Sequence, residues 1–404
     1  MKILLSAYAC EPNKGSEPGV GWSWCTELAK FHDVWVITRD NNKPTITKYL
    51  SENPECKNDR LHFIYVGLSK KLTFWKKGRR GMRLFYDLWQ RKAVKVAKKY
   101  HDHIHFDIVQ HVTFVSYTQP TYMYKLKIPM IWGPVSGGEN IPVEIKLNLS
   151  VKEKIIENIR KLSQELAVIY PCIRKTMRDS KLIIVATEET KMKIPSKYWS
   201  KMMLVPAIGV SKIPDIEIHK REDGKIKVVM AGRLIYWKAF DIGIKAFLKI
   251  ADEHPKASLH ILGEGDKKKL LKKIAGDYLD KQVFFDKPVE HDKIYEYYST
   301  FDIFLNTTLR DSGCMTMMEA MSVEVPCIAV ATGGPKVLLN DFPDCSVSCK
   351  QYDLLVDDIA DRLKNMIIHS NARKDIALKQ QTFIRENMTM NNKVKKIESW
   401  LSQV

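Results

Sequence analysis

The amino-acid sequence predicts an α/β chain built as two parallel-sheet domains in tandem, and three observations carry that prediction. At 404 residues the chain is longer than the roughly 250–300 residues at which a single hydrophobic core stops growing. Short β-rich runs alternate with helical stretches through the first half, and the alternation resumes after a polar, charged stretch at 211–225. That is the pattern of parallel strands linked by crossover helices. Hydrophobic residues make up 45% and charged residues 28%, with only 19 Gly and 17 Pro, which excludes a collagenous, low-complexity or disordered chain.

The first strand is expected at 2–8. Glu11, Lys14 and Glu17 follow its short apolar run so closely that it reads as a buried strand rather than a secretory signal. The phrase GSEPGVGW comes next and leads into a helix expected at 23–30. Strands are then expected at 34–38, 61–66, 107–111, 129–132, 182–186 and 203–205. Ahead of the last two of these, a helix over 151–169 spaces Ile155, Ile159, Leu162, Leu166 and Ile169 three and four residues apart, a stripe expected to face the core. Beyond the junction, strands are expected at 227–231, 258–262, 283–285, 303–306 and 327–330. The end of the chain, 388–404, forms an amphipathic helix through Val394, Ile397, Trp400 and Leu401.

No stretch reaches the roughly 18–20 uncharged apolar residues of a spanning helix, so an integral membrane protein is not expected. The eight cysteines are scattered, without a CxxC pair, and read as reduced cytosolic thiols. The formal net charge of +18 calls for an anionic partner. Much of it lies at 70–99, where twelve Lys and Arg residues face one acid, Asp87.

Three motifs sit at expected strand ends, where parallel sheets bind ligands. Gly19 and Gly21 between the first strand and its helix permit a close backbone approach to a ligand, or serve as a turn that packs strand on helix. Gly232-Arg233, with Lys238 five residues beyond the arginine, would present a guanidinium and an ammonium to a diphosphate; the same pair also reads as two solvated cations. The run Asp311-Ser-Gly313-Cys314-Met315-Thr316-Met-Met-Glu319 opens a helix with outward N–H groups and carries two carboxylates suited to sugar hydroxyls. Its bland reading is an N-cap at Asp311 and a surface ion pair at Glu319.

The phrases AGRLIYWKAFDIGIKAF, LHILGEGD and the run from Asp311 to Glu319 with EAM and VP resemble the donor-binding half of the family four retaining glycosyltransferases. The N-terminal phrases SAYACEP, GSEPGVGW, DIVQHVT and IWGPVSGGE resemble a branch of that family associated with surface polysaccharide assembly. The resemblance implies the GT-B architecture, two Rossmann-like domains facing a central cleft. The acceptor-side domain is expected at 1–208 with the helix 386–404 packing back on it, and the donor domain at 209–385. It implies that Arg233 and Lys238 hold the donor diphosphate, helped by Gly232 and by backbone groups of Gly313, Cys314, Met315 and Thr316. Asp311 would face the donor sugar, Glu319 the ribose, Gly19 and Gly21 the cleft, and His111 the donor sugar. The family pattern has Glu where this chain has Asp311, one methylene shorter.

The implied reaction is retaining hexosyl transfer from a UDP- or GDP-sugar to a saccharide or lipid-linked saccharide, with no protein base and no cofactor. The chain contains no Asp-x-Asp, so no metal is expected. The aromatics interleaved through 70–99 suit docking on an anionic membrane surface, which gives a cytoplasmic enzyme peripheral on the inner face of the plasma membrane. Part of that segment also fits a core helix with a solvated basic face. A nucleotide-sugar binder without turnover is the alternative reading. A nucleic-acid binder is disfavoured because no recognised module is present, and a nicotinamide dehydrogenase because the GxGxxG spacing is missing.

Overall fold

Thirteen parallel strands form among the described residues, the central ones from apolar runs buried on both faces. The structure is a computed structural model that describes residues 1–69, 74–76, 78, 81–146, 148–210, 213, 216 and 224–401. Of the basic segment, residues 70–73, 77, 79 and 80 therefore lie outside the described residues, as does most of the charged junction at 211–223.

The first sheet contains β1 (Lys2–Ser6), β2 (Asp33–Arg39), β3 (Leu61–Val66), β4 (Ile108–His111), β5 (Met130–Val135), β6 (Leu182–Val185) and β7 (Met202–Leu204), in the order β3-β2-β1-β4-β5-β6-β7. The second contains β8 (Ile226–Ala231), β9 (Ala257–Leu262), β10 (Val283–Asp286), β11 (Ile303–Asn306), β12 (Cys327–Val330) and β13 (Ser346–Val347), in the order β10-β9-β8-β11-β12-β13. Both are α/β doubly wound sheets whose order reverses at one pair of strands, β1/β4 in the first and β8/β11 in the second. Ligands of such sheets sit at the carboxyl ends of that pair. The two-residue β13 is too short to show in the sequence pattern.

The chain divides into two compact units. One comprises Met1–Gly138, Leu162–Ile208 and Val394–Val404, the other Glu139–Lys161 and Gly209–Lys393. The segment 139–161 thus clusters with the second sheet, whereas the sequence reading divides the chain at 208/209 and 385/386 and keeps 139–161 with the first domain. In the first unit the C-terminal helix Met390–Leu401 buries Val394, Ile397 and Leu401, and Glu398 bonds His32 at 2.8 Å. In the second unit the helix Ser370–Asn387 is held to the sheet by Gln380, whose side-chain amide bonds both the N–H and the C=O of Cys327.

Two expectations are corrected. The helix expected at 23–30 runs from Ser16 to Leu28, so Gly19 and Gly21 lie inside it rather than in a turn. They are there because the helix presses on the preceding loop: a Cβ at Gly19 would stand 2.0 Å from the Lys14 carbonyl oxygen, and one at Gly21 2.1 Å from that of Ala9. The helix Val151–Ala167 is also turned the other way round from its apolar stripe. Ile155, Ile159, Leu162, Leu166 and, just past its end, Ile169 are exposed, while Glu157 and Gln164 are buried. The polar face is inward because it is matched there: Glu157 pairs with Arg310, and Gln164 donates to the Gly137 carbonyl. No described helix is long and apolar enough to cross a membrane.

Candidate active site

At the switch point of the second sheet, the loops after β8 and β11 are tied together by backbone and hydroxyl bonds. Leu309 N–H donates to the Trp237 carbonyl at 2.9 Å, and Thr307 Oγ1 donates to the Ala239 carbonyl at 2.8 Å. Ala239 and Cys314 both adopt left-handed backbone, with φ of 46° and 49°, a conformation that costs a non-glycine residue about 1 kcal/mol or more. The two loops bring Lys238 and Asp311 together. Lys238 Nζ lies 2.5 Å from Asp311 Oδ2, and Asp311 Oδ1 accepts from Gly313 N–H at 3.0 Å. Burial works to raise the Asp311 pKa. The Lys238 charge and the N–H groups of Gly313 and Cys314 outweigh it and hold the carboxyl below the usual range.

The loop bearing Asp311 is also gripped from behind. Gly334 N–H donates to the Asp311 carbonyl at 2.8 Å, and a Cβ at Gly333, where φ is 50°, would strike that same oxygen. The helix expected to open at Gly313 begins two residues later, as Met315–Ser322 with Cys314 at its N-cap. Gly313 and Cys314 are buried, as is Met317, whereas Met315 and Thr316 are half-exposed.

Glu319 lies on that helix at 4% exposure, with no hydrogen-bond or ion-pair partner among the described residues. Burial pushes its carboxyl up to about 7. Gly232 follows β8 with φ 147°, a backbone only glycine adopts readily, and releases Arg233 to solvent. The Arg233 guanidinium has no side-chain partner among the described residues. The second sheet therefore presents an uncommitted cation, an ion pair and an unpaired buried carboxyl on the loops and helix that follow its two central strands.

Sequence reasoning missed the support around these groups. Arg310, next to Asp311, pairs with Glu157 at 2.5 Å and lies over the Trp237 ring at 4.5 Å, and Tyr236 O–H donates to the same Glu157 oxygen at 2.6 Å. Glu139, buried, packs its side chain beside Gly333, and its carbonyl accepts from Arg160. Glu139 stands at the end of the quoted GGE phrase, but nothing in the sequence pairs it with residues nearly two hundred positions away.

The first unit has its own switch-point group. His111 ends β4 opposite Ser6 of β1 and is buried at 2% exposure. Its Nε2 lies 3.2 Å from Tyr86 O–H and its Nδ1 has no partner among the described residues. Burial lowers its pKa to about 3, so the ring is neutral at ordinary pH. Tyr86 stacks on Phe114 at 3.9 Å, and Phe114, with φ 66°, is a backbone outlier for a bulky residue. Ala9 N–H donates to Thr113 Oγ1 at 3.0 Å, tying the loops after β1 and β4. Among the described residues, no group of three or more His, Cys, Asp or Glu side chains is arranged to hold a metal ion.

Comparison with known proteins gives a family match for the second unit and a shared fold for the chain. Residues 211–381 match the family model described as glycosyl transferases group 1. An uncharacterized glycosyltransferase of Methanocaldococcus jannaschii is 27% identical over 188 residues, 45% of this chain and 46% of that protein. One subunit of the human phosphatidylinositol N-acetylglucosaminyltransferase is 30% identical over 120 residues, 29% of this chain and 25% of that protein. The chain thus spans less than half the length of these curated relatives. The structure of Anabaena HepE in complex with UDP and glucose superposes with a TM-score of 0.61 at 13% identity, covering 100% of both chains, so the GT-B glycosyltransferase fold is shared.

Proposed function

We propose, from the match of residues 211–381 to the glycosyl transferases group 1 family model, that the chain transfers a hexose from a UDP- or GDP-sugar to a hydroxyl of a saccharide or lipid-linked saccharide in surface polysaccharide assembly. Configuration at the anomeric carbon is retained, and no metal takes part. The observation that carries this reading is the set of groups at the β8/β11 switch point: Arg233 uncommitted, Lys238 held by Asp311, and Glu319 buried without a partner among the described residues.

In the proposed step the bond from the anomeric carbon to the diphosphate oxygen breaks and the bond to the acceptor oxygen forms. The acceptor proton passes to the departing diphosphate, so the protein supplies no base. Arg233 and Lys238 neutralise the developing charge, with Gly232 and the N–H groups of Gly313 to Thr316 beside them. Asp311 accepts from sugar hydroxyls, and Glu319 accepts from the ribose. His111, neutral and buried, is a hydrogen-bonding group toward the sugar, and the helix carrying Gly19 and Gly21 supports the loop beside it.

A thermal-shift panel of UDP, GDP, ADP and CMP with their common sugars tests the donor side, since a ligand at 100 times its Kd adds about 2.7 kcal/mol of stability. One responding nucleotide, lost in Arg233→Ala and Glu319→Ala, is expected. Product analysis by NMR then reads the anomeric configuration, and turnover that persists in EDTA is expected. Donor binding without any product would favour the alternative of a nucleotide-sugar binder; loss of turnover in EDTA would refute metal independence.

A further inference from the structure

The helix Val151–Ala167 and its end display an apolar stripe to solvent. Val151, Ile155, Ile159, Leu162, Leu166 and Ile169 are each more than half exposed. Leaving such side chains in water forfeits the stabilisation that burying them would bring. A contiguous row of this kind marks an interaction surface. The row does not serve the core, because the opposite face of the helix already does so through Glu157 and Gln164.

Charge indicates what covers the row. The helix carries three acids. Glu153 is neutralised by Lys267 at 2.5 Å and Glu157 by Arg310, which leaves Glu165. Lys152 and Lys161 are exposed and Lys154 half-exposed, all without an ion-pair partner among the described residues. Exposed Arg174 follows with Lys175 on the next helix, Pro171–Asp179. An apolar stripe bordered by unpaired cations is the pattern of a helix that lies in an anionic bilayer interface.

A second copy of the chain fits less well. Spacings of four, three, four and three from Ile155 to Ile169 would make a coiled-coil seam, but the flanking Ile156, Asn158, Ser163 and Glu165 offer no complementary charges to a partner helix. We infer that the exposed face of the helix Val151–Ala167 docks on membranes containing anionic phospholipid, with the apolar row entering the interface and the lysines meeting headgroups. This contact is distinct from the basic segment at 70–99, and it does not depend on the transfer reaction.

The test is co-sedimentation of the full chain with phosphatidylcholine vesicles, with and without phosphatidylglycerol, at low salt. The wild type is expected to bind the anionic vesicles and to bind the neutral ones weakly. Ile159→Glu/Leu162→Glu should lower binding by about tenfold or more, and Ile159→Ser/Leu162→Ser should do so in the same direction without adding charge. All these positions are exposed, so each variant should keep the wild-type melting temperature, which is measured alongside. Vesicle binding that survives both double variants overturns the proposal and assigns the contact elsewhere, for instance to 70–99. A wild type that ignores vesicles also overturns it, and if that wild type is a dimer split by Ile159→Ser/Leu162→Ser, the face is covered by a second copy.

Discussion

Asp311 and Lys238 form an ion pair at 2.5 Å that bridges the loops following β8 and β11. The carboxylate is held from three sides, by the ammonium and by the N–H groups of Gly313 and Cys314. Both members of the pair belong to the proposed donor site, so the pair orients each for its ligand before any ligand arrives. It also leaves Arg233 as the cation without prior commitment.

Breaking that pair from one side should cost more than removing it whole. Lys238→Ala strands a mostly buried carboxylate and is expected to lower stability by about 1–3 kcal/mol at pH 7. Lys238→Ala/Asp311→Asn should recover more than half of this loss, giving a coupling readable by urea denaturation in a double-mutant cycle. Because the folded Asp311 pKa is depressed, its stabilisation is present at neutral pH and lost on acidification through the folded value. In Lys238→Ala, where the folded value is less depressed, this acid-linked loss should be smaller. Additive single-site effects would show that the contact carries no energy.

Arg233→Ala should separate function from stability. The side chain is exposed and unpaired among the described residues, so the melting free energy should stay within about 0.5 kcal/mol of the wild type. Donor turnover should fall by about 100- to 1,000-fold, and Arg233→Lys should restore only part of it because a bidentate contact is lost. An unaffected rate in Arg233→Ala would remove the arginine from the site.

Glu319 gives a pH signature. Burial raises its folded pKa to about 7, above an ordinary value of 4.5. Between those values the native state takes up a proton that the unfolded chain does not, so its contribution to stability is present below about 4.5 and lost as pH rises through about 7. Glu319→Gln should therefore be more stable than the wild type at pH 8, by roughly 1–3 kcal/mol. Binding of the responding nucleotide should weaken below pH 7 in the wild type and stay level in Glu319→Gln, measured by calorimetry. A parallel pH profile in both proteins would place the titration elsewhere.

Gly19→Ala and Gly21→Ala should destabilise, although alanine is the better helix former by about 1 kcal/mol. Each new Cβ would meet a backbone carbonyl oxygen at about 2 Å, and the loop would have to move. The net loss expected is about 1–3 kcal/mol, read as a lower urea midpoint. A gain in stability would mean that the loop yields freely.

Strands were legible because a parallel strand buried on both faces is an unbroken apolar run, as in Ile303–Asn306, found with its boundaries. The cationic loop after β8 and the carboxylates after β11 were legible from their places at strand ends. Orientation was not. Periodicity shows that the helix Val151–Ala167 has one apolar side, but only the partners Arg310 and Gly137 show that the polar side faces inward. Gly19 and Gly21 looked like turn residues because glycine is rare in helices, and the carbonyls that require them there belong to the preceding loop. Likewise His111 was legible as a strand-end histidine, whereas its neutrality comes from its burial, with Tyr86 against the ring.

The two compact units interleave along the chain, one assembled from three segments and the other from two. During synthesis, the first unit stays incomplete until its closing helix has been made, well after the second sheet. A gene cut at 208/209 would deprive the second unit of Glu157, leaving Arg310 without its carboxylate, and of Glu153, the partner of Lys267. Neither half is therefore a transferable cassette, and exchanging donor halves between relatives requires grafting 139–161 along with 209–393.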